Sequence, residues 1–151
     1  MTVIAYKDGV MAADSRAYSG GTGAIGRKWK VRRAPDGTLI GCSSNQPGVS
    51  EAAMAWYIDG ADPEKAPKLN EPSFSLLAVR PDGRAFIADD RFLLSGPLEG
   101  EVFATGSGGY AAHGAMLAGR RPKRRRGSPA RSTPGARSRS TRCGTIRRAD
   151  P

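Results

Sequence analysis

The chain has 151 residues, one domain's worth, and its 38% hydrophobic content is low but above that of disordered chains. Its net charge of +10 is unevenly spread: residues 1–119 carry 12 Lys/Arg against 13 Asp/Glu, whereas residues 120–151 carry 12 against Asp150 alone, so the body gives no reason to expect an anionic partner. No apolar stretch is long enough to span a membrane, and Met1 leads into a strand-like segment rather than a signal region, which predicts a soluble cytoplasmic protein.

In chain order, Val3 to Tyr6 and Val10 to Ala13 are short runs of apolar and β-forming residues around Lys7-Asp8-Gly9, the pattern of a hairpin. A glycine-rich loop from Ser19 to Gly23 interrupts the pattern. Trp29 to Arg33, the turn Pro35-Asp36-Gly37 and Thr38 to Cys42 predict a second hairpin. Val49, Ala52, Ala53 and Trp56 fall at helical spacing, with Gly60 as a stop. After a Pro/Lys/Glu connector from Asp62 to Pro72, Phe74 to Val79, Pro81-Asp82-Gly83 and Arg84 to Ala88 repeat the strand, turn, strand pattern. A last strand, Val102 to Thr105, leads through Gly106-Ser107-Gly108 into a helix from Tyr110 to Leu117. This alternation predicts an α+β fold.

From residue 120 the composition turns to Arg, Pro, Ser and Gly, and Ile146 is the only large aliphatic residue left. Such a segment has nothing to bury, which predicts a disordered basic tail over 120–151 behind a domain over 1–119. The mixture is what a GC-rich gene yields out of frame, so a frameshift near codon 119 is expected. Cys42 and Cys143 lie in segments of different character and make no metal-ligand spacing; neither a disulfide nor a metal site is expected.

Thr2 directly follows the initiator Met1. Removing one residue would give it a free α-amine, whose ordinary pKa of about 7.7–8.0 suits it to take a hydroxyl proton at neutral pH. Nucleophile and base would then share one residue, and the β-branch restricts the rotamers of the attacking oxygen. Thr after an initiator Met is common in itself, so the surrounding residues decide.

Those residues are Thr2 with the Ala12-Ala13-Asp14-Ser15-Arg16 run, Lys28-Trp29-Lys30-Val31, and Phe103-Ala104-Thr105-Gly106-Ser107-Gly108-Gly109. In order and spacing, over residues 2 to about 118, they resemble proteasome β-subunits and their bacterial ring-peptidase relatives, which are N-terminal-nucleophile hydrolases; the small bacterial and phage proteasome-like subunits are the nearest. The resemblance implies a four-layer αββα sandwich, truncated at its C-terminal end, and a threonine-type peptidase or amidohydrolase. It implies Thr2 as nucleophile, Asp14 and Lys30 as the residues that tune it, and Ser107 as partner of the α-amine. It also places Ser44 at the oxyanion-binding backbone, although Ser43-Ser44-Asn45 lacks the glycines that the family prefers there. Cys42 falls at the wall of a specificity pocket, with Ala17 and Tyr18 on a substrate-pairing segment and the residues around Gln46 facing them.

No cofactor is implied. The implied partners are a peptide or unfolded protein, further copies of the chain in a ring, and an ATP-dependent unfoldase as a candidate. The family completes its site from a turn after its next helix, where this chain has the arginine tail. An inactive relic is therefore one alternative. A non-enzymatic protein whose tail binds nucleic acid nonspecifically through its charge is another. His113, the only histidine, has no sequence partner for a Ser-His-Asp or Cys-His mechanism, and the adjacent Asp89 and Asp90 are those of a solvated strand end.

Overall fold

In the computed structural model, residues 2–18, 23–70, 73–122 and 144–147 are described. Strands β1 (Ile4–Lys7) and β2 (Val10–Ala13) form the first hairpin, Ile4 opposite Ala13. Its two-residue turn has positive φ at both Asp8 and Gly9, the primed geometry whose twist matches that of paired strands. Strands β3 (Arg16–Tyr18) and β4 (Ala24–Arg27) make a separate two-stranded unit with a register shift at Ala17/Tyr18.

Five strands in antiparallel sequence order form the largest sheet: β5 (Val31–Arg33), β6 (Leu39–Ser44), β7 (Phe74–Val79), β8 (Ala85–Ala88) and β9 (Ser95–Leu98). Two of its turns use the same device. The Asp36 carboxylate accepts from Thr38 N–H at 2.9 Å, and that of Asp82 accepts from Arg84 N–H at 2.9 Å, so each aspartate closes its own Pro-Asp-Gly turn. Strand β10 (Val102–Thr105) returns to pair with β1, giving a second sheet in the order β10-β1-β2, with β11 (Gly144–Arg147) beside β2.

Alternation along the strands decides what packs where. Leu39, Leu77, Val79 and Ala85 of the five-stranded sheet meet Ile4, Tyr6, Met11 and Phe103 of the other in one buried cluster. Gly41 allows the close approach: a Cβ there would lie 2.5 Å from Ile4 Cγ2 and 3.1 Å from Met11 Sδ. On the opposite face, Ile40, Cys42, Leu76 and Ala78 are covered by helix α1 (Val49–Ile58), which buries Val49, Ala53, Met54, Trp56 and Tyr57. Strands β6 and β7 are therefore covered on both faces, which explains their nearly continuous apolar sequence.

Helix α2 (Gly109–Leu117) sets Met116 against Ala5 and Val102, on the outer face of the β1–β10 pair. Lys7 Nζ donates to Met116 O at 2.8 Å, a cation on the carbonyl end of the helix. Among the described residues no helix is long and apolar enough to cross a membrane.

Four elements were not expected from the sequence: β3, β4, β9 and a single 3₁₀ turn (Pro63–Lys65) inside the connector. A fifth lies in the basic tail, where β11 (Gly144–Arg147) pairs antiparallel with β2, Ile146 opposite Met11. The expectation of a tail without structure does not hold for these four residues, because the open edge of β2 supplies backbone partners whatever the composition of the added strand. The rest of that expectation, over 123–143 and 148–151, and Cys143 with it, lies outside the described residues.

Candidate active site

Antiparallel registry brings three chain segments to one end of the β10-β1-β2 sheet. Ile4 lies opposite both Ala13 and Thr105, so the residue before β1, the residue after β2 and the turn after β10 must converge. These are Thr2, Asp14 and Gly106-Ser107. Val3 N–H donates to Asp14 Oδ1 at 3.0 Å, Asp14 N–H to Val3 O at 3.3 Å, and Gly108 N–H to Thr2 O at 2.9 Å. Gly106 permits this turn twice over: its φ is +85°, and a Cβ would stand 2.6 Å from Thr2 O.

Lys30 arrives from the other sheet, just before β5, its carbonyl accepting from Cys42 N–H at 3.0 Å. Its side chain is only 3% exposed. The ammonium donates to Asp14 Oδ2 at 2.8 Å and to Thr2 Oγ1 at 2.9 Å. Asp14 also accepts from Arg16 N–H at 3.2 Å, so its carboxylate holds three donors and is fixed in place. A charge this buried is tolerated only with such partners. Thr2 N–H donates to Ser107 Oγ at 2.9 Å. That nitrogen is the amide of the Met1–Thr2 bond, so removal of Met1 would turn it into an amine beside the same hydroxyl.

The arrangement opens onto a cleft of about 920 Å³. Thr2, Lys30 and Ser107 line one part of it, Ala17 and Tyr18 another, Ser44 and Gln46 a third. Among the described strands β3 pairs only with β4, which leaves its other edge unpaired beside this space. The glycine-free turn after β6 is held by Ser44 itself: its hydroxyl donates to Ser73 O at 2.7 Å and accepts from Gln46 N–H at 3.0 Å.

Thr2, Asp14, Lys30 and Ser107 thus form one connected hydrogen-bonded set, with Ala17, Tyr18, Ser44 and Gln46 around the same cleft. Cys42 does not line it. It is fully buried beneath α1, where desolvation first, then the Glu51 carboxylate, raises its thiol pKa to about 12 against the opposing effect of Lys28. His113 is exposed on α2 and does not line this cleft, and Asp89 closes a surface turn by accepting from Arg91 N–H at 3.3 Å. No group of three His, Cys, Asp or Glu among the described residues is placed to hold a metal ion.

Sequence reasoning missed Lys28 and Glu51, which line the cleft as an ion pair at 3.3 Å. It also missed Ser75, whose hydroxyl bonds that of Thr105 and joins the two sheets at the same end. Lys28 stands two residues before Lys30, the spacing that puts extended side chains on one side. Glu51 and Ser75 have no such local signal.

No protein-family model matches the sequence, and no curated protein matches it. Among solved structures, eukaryotic HslV from Trypanosoma brucei superposes with a TM-score of 0.55 over 78% of this chain and 78% of its own, at 17% sequence identity. The likeness is one of fold: this chain shares the mixed helix-and-strand architecture of HslV.

Proposed function

We propose that, once Met1 is removed, this chain is a threonine-type peptidase or amidohydrolase. The observation that carries the proposal is the buried Lys30 ammonium held between Asp14 Oδ2 and Thr2 Oγ1 at the head of a peptide-sized cleft. In this reading the α-amine takes the Thr2 hydroxyl proton, directly or through one water, as Oγ1 attacks a peptide carbonyl. Lys30 stabilises the forming alkoxide, and the Ser44 N–H holds the carbonyl oxygen as it becomes negative. The protonated amine then gives its proton to the leaving nitrogen. Water, deprotonated by the same amine, releases the acyl group and restores Oγ1–H. Ser107 orients the amine, and Asp14 orients Lys30.

Ala17 and Tyr18, on the open edge of β3, and Gln46 across the cleft support a substrate bound as an added strand, with Cys42 beneath the floor rather than in contact. The two sheets meeting through one apolar cluster, each with a helix on its outer face, support an αββα arrangement that lacks its last elements, in a body over 1–119 with a basic tail over 120–151. By family resemblance the protein works in the cytoplasm as a ring of identical subunits fed by an ATP-dependent unfoldase, and its nearest kin are the small bacterial and phage subunits. The frameshift near codon 119 belongs to the same reading; resequencing an intact frame there, with no decayed frame alongside, counts against it.

The test is hydrolysis of fluorogenic peptides by the Met1-trimmed chain. Thr2→Ala abolishes turnover, Thr2→Ser retains it, and Lys30→Met lowers it by about 10²–10³, the scale of losing one oxyanion-stabilising group. A Thr2→Ala protein as active as the parent refutes the proposal. If no variant turns over peptide while all fold alike, the relic reading takes its place, favoured by the compositional break at residue 120.

A further inference from the structure

Residues 1–119 carry almost no net charge, but the β3–β4 ribbon does not distribute its charge evenly between its faces. Lys28 N–H donates to Ser15 O at 2.9 Å, which marks Ser15/Lys28 as a hydrogen-bonded pair of this antiparallel ladder. The next pair, Arg16 opposite Arg27, is then a non-hydrogen-bonded one, the kind whose side chains stand closest. Both arginines are exposed, and like charges directly opposite each other are destabilising.

The two faces of the ribbon differ. Ala17 and Lys28 line the cleft while their neighbours Arg16 and Arg27 do not, so alternation puts the arginines on the face turned away from it. The cations of the cleft are paired, Lys28 with Glu51 at 3.3 Å and Lys30 with Asp14 at 2.8 Å. Among the described residues neither Arg16 nor Arg27 forms an ion pair. Arg16 keeps a side-chain hydrogen bond to Tyr18, which raises its pKa, so its charge persists. Trp29 follows two residues after Arg27, between Lys28 and Lys30, and does not line the cleft either; it is 68% exposed, whereas Trp56 is 4% exposed.

Two guanidiniums without counter-ions beside a bare indole discriminate among anionic partners. An acidic peptide would use the arginines and leave the indole in water. A nucleic-acid duplex keeps its bases stacked on one another, so it too would meet only the charges. A single strand offers phosphates to the guanidiniums and unstacked bases to the indole. We infer that the Arg16–Arg27–Trp29 face binds single-stranded nucleic acid, with a base stacked on Trp29 and a phosphate held between Arg16 and Arg27. This site lies on the other side of the ribbon from the peptidase cleft and does not depend on the hydrolytic reading.

The basic tail can neutralise any phosphate strand, so the experiment compares strands of equal charge. The full chain is titrated, with tryptophan emission as the readout, with oligothymidylate and oligouridylate of about 12 nucleotides and with an abasic strand of the same length. The base-bearing strands are expected to quench Trp29 and to bind about 5- to 150-fold more tightly than the abasic one, the range for one stacked base. The tighter of the two identifies the strand as DNA or RNA. Trp29→Ala is expected to erase both the quenching and the preference; because Trp29 is exposed, its urea midpoint should match the parent's. Arg16→Gln with Arg27→Gln removes a repulsive pair, so the fold is kept, and the slope of log affinity against log salt should fall by about 1.4, two phosphates' worth on a single strand. Equal binding of abasic and base-bearing strands, binding without quenching, a base preference that survives Trp29→Ala, an unchanged salt slope in the arginine double variant, or tighter binding of polyglutamate overturns the inference. So does a Trp29 emission that shifts to the blue with protein concentration alone, since a second copy would then cover this face.

Discussion

Removing either member of the Asp14–Lys30 pair should destabilise the fold, and the two losses should be unequal. Lys30 is 3% exposed and Asp14 23%. Lys30→Met removes the cation, replaces it with a side chain of similar length, and strands a carboxylate that is partly solvated and still holds Val3 N–H and Arg16 N–H. We expect about 3 kcal/mol, the lower end for breaking a buried pair. Asp14→Asn strands a nearly dry ammonium with only neutral acceptors, Thr2 Oγ1 and the substituted amide's oxygen, which points to the upper part of that range, about 4 kcal/mol. In the double variant no charge is left unpaired. Its loss should fall well short of the sum, with an interaction energy of about 2–3 kcal/mol. Urea denaturation of the four proteins at neutral pH, with m-values checked for constancy, measures this directly. Losses that add, or Lys30→Met costing more than Asp14→Asn, would refute the picture of a buried cation whose charge is balanced chiefly by Asp14.

Gly106→Ala is expected to push Thr2 out of place, because its Cβ would stand 2.6 Å from Thr2 O at a φ of +85°; a loss of roughly 1–3 kcal/mol and loss of Thr2 labelling are the readouts. Gly41→Ala should cost roughly 1–3 kcal/mol by overpacking the space between the sheets, seen as a lowered urea midpoint. Cys42 should make the protein alkali-sensitive. Its folded-state pKa is raised from 9.0 to about 12, so the unfolded chain loses this proton first. Stability is then unaffected by it below pH 9 and falls by about 1.4 kcal/mol per pH unit between pH 9 and 12. Cys42→Ala removes that slope, and parallel pH profiles for the two proteins would contradict the assignment.

The strands with alternating or doubly buried apolar residues were legible, and so were both helices, since β6, β7 and α1 carry their burial pattern in the sequence itself. Strands β3 and β4 were hidden by the glycine-rich stretch between them and by their exposure: all four residues of β4 face solvent and leave no apolar period to read. Strand β9, Ser-Gly-Pro-Leu, contains no β-branched or aromatic residue, so its pairing with β8 is imposed by the neighbouring strand. For β11 the surrounding arginines outweighed Thr145 and Ile146, although an open sheet edge asks only for backbone groups. At the site, Thr2, Asp14, Lys30 and Ser107 could be singled out because each sits in a recognisable local run. Glu51 could not, because a glutamate in the first turn of a helix usually faces water, and only the packing of α1 on β6 brings it to Lys28.

The central claim is that Thr2 becomes a nucleophile when Met1 leaves. Intact-mass spectrometry of the purified chain, before and after incubation with a β-lactone, tests it most directly. The account predicts a chain lighter by one methionine that gains one acyl adduct, absent in Thr2→Ala and strongly slowed in Lys30→Met. A chain that loses Met1 and takes up no adduct, or one whose adduct survives Thr2→Ala, contradicts it.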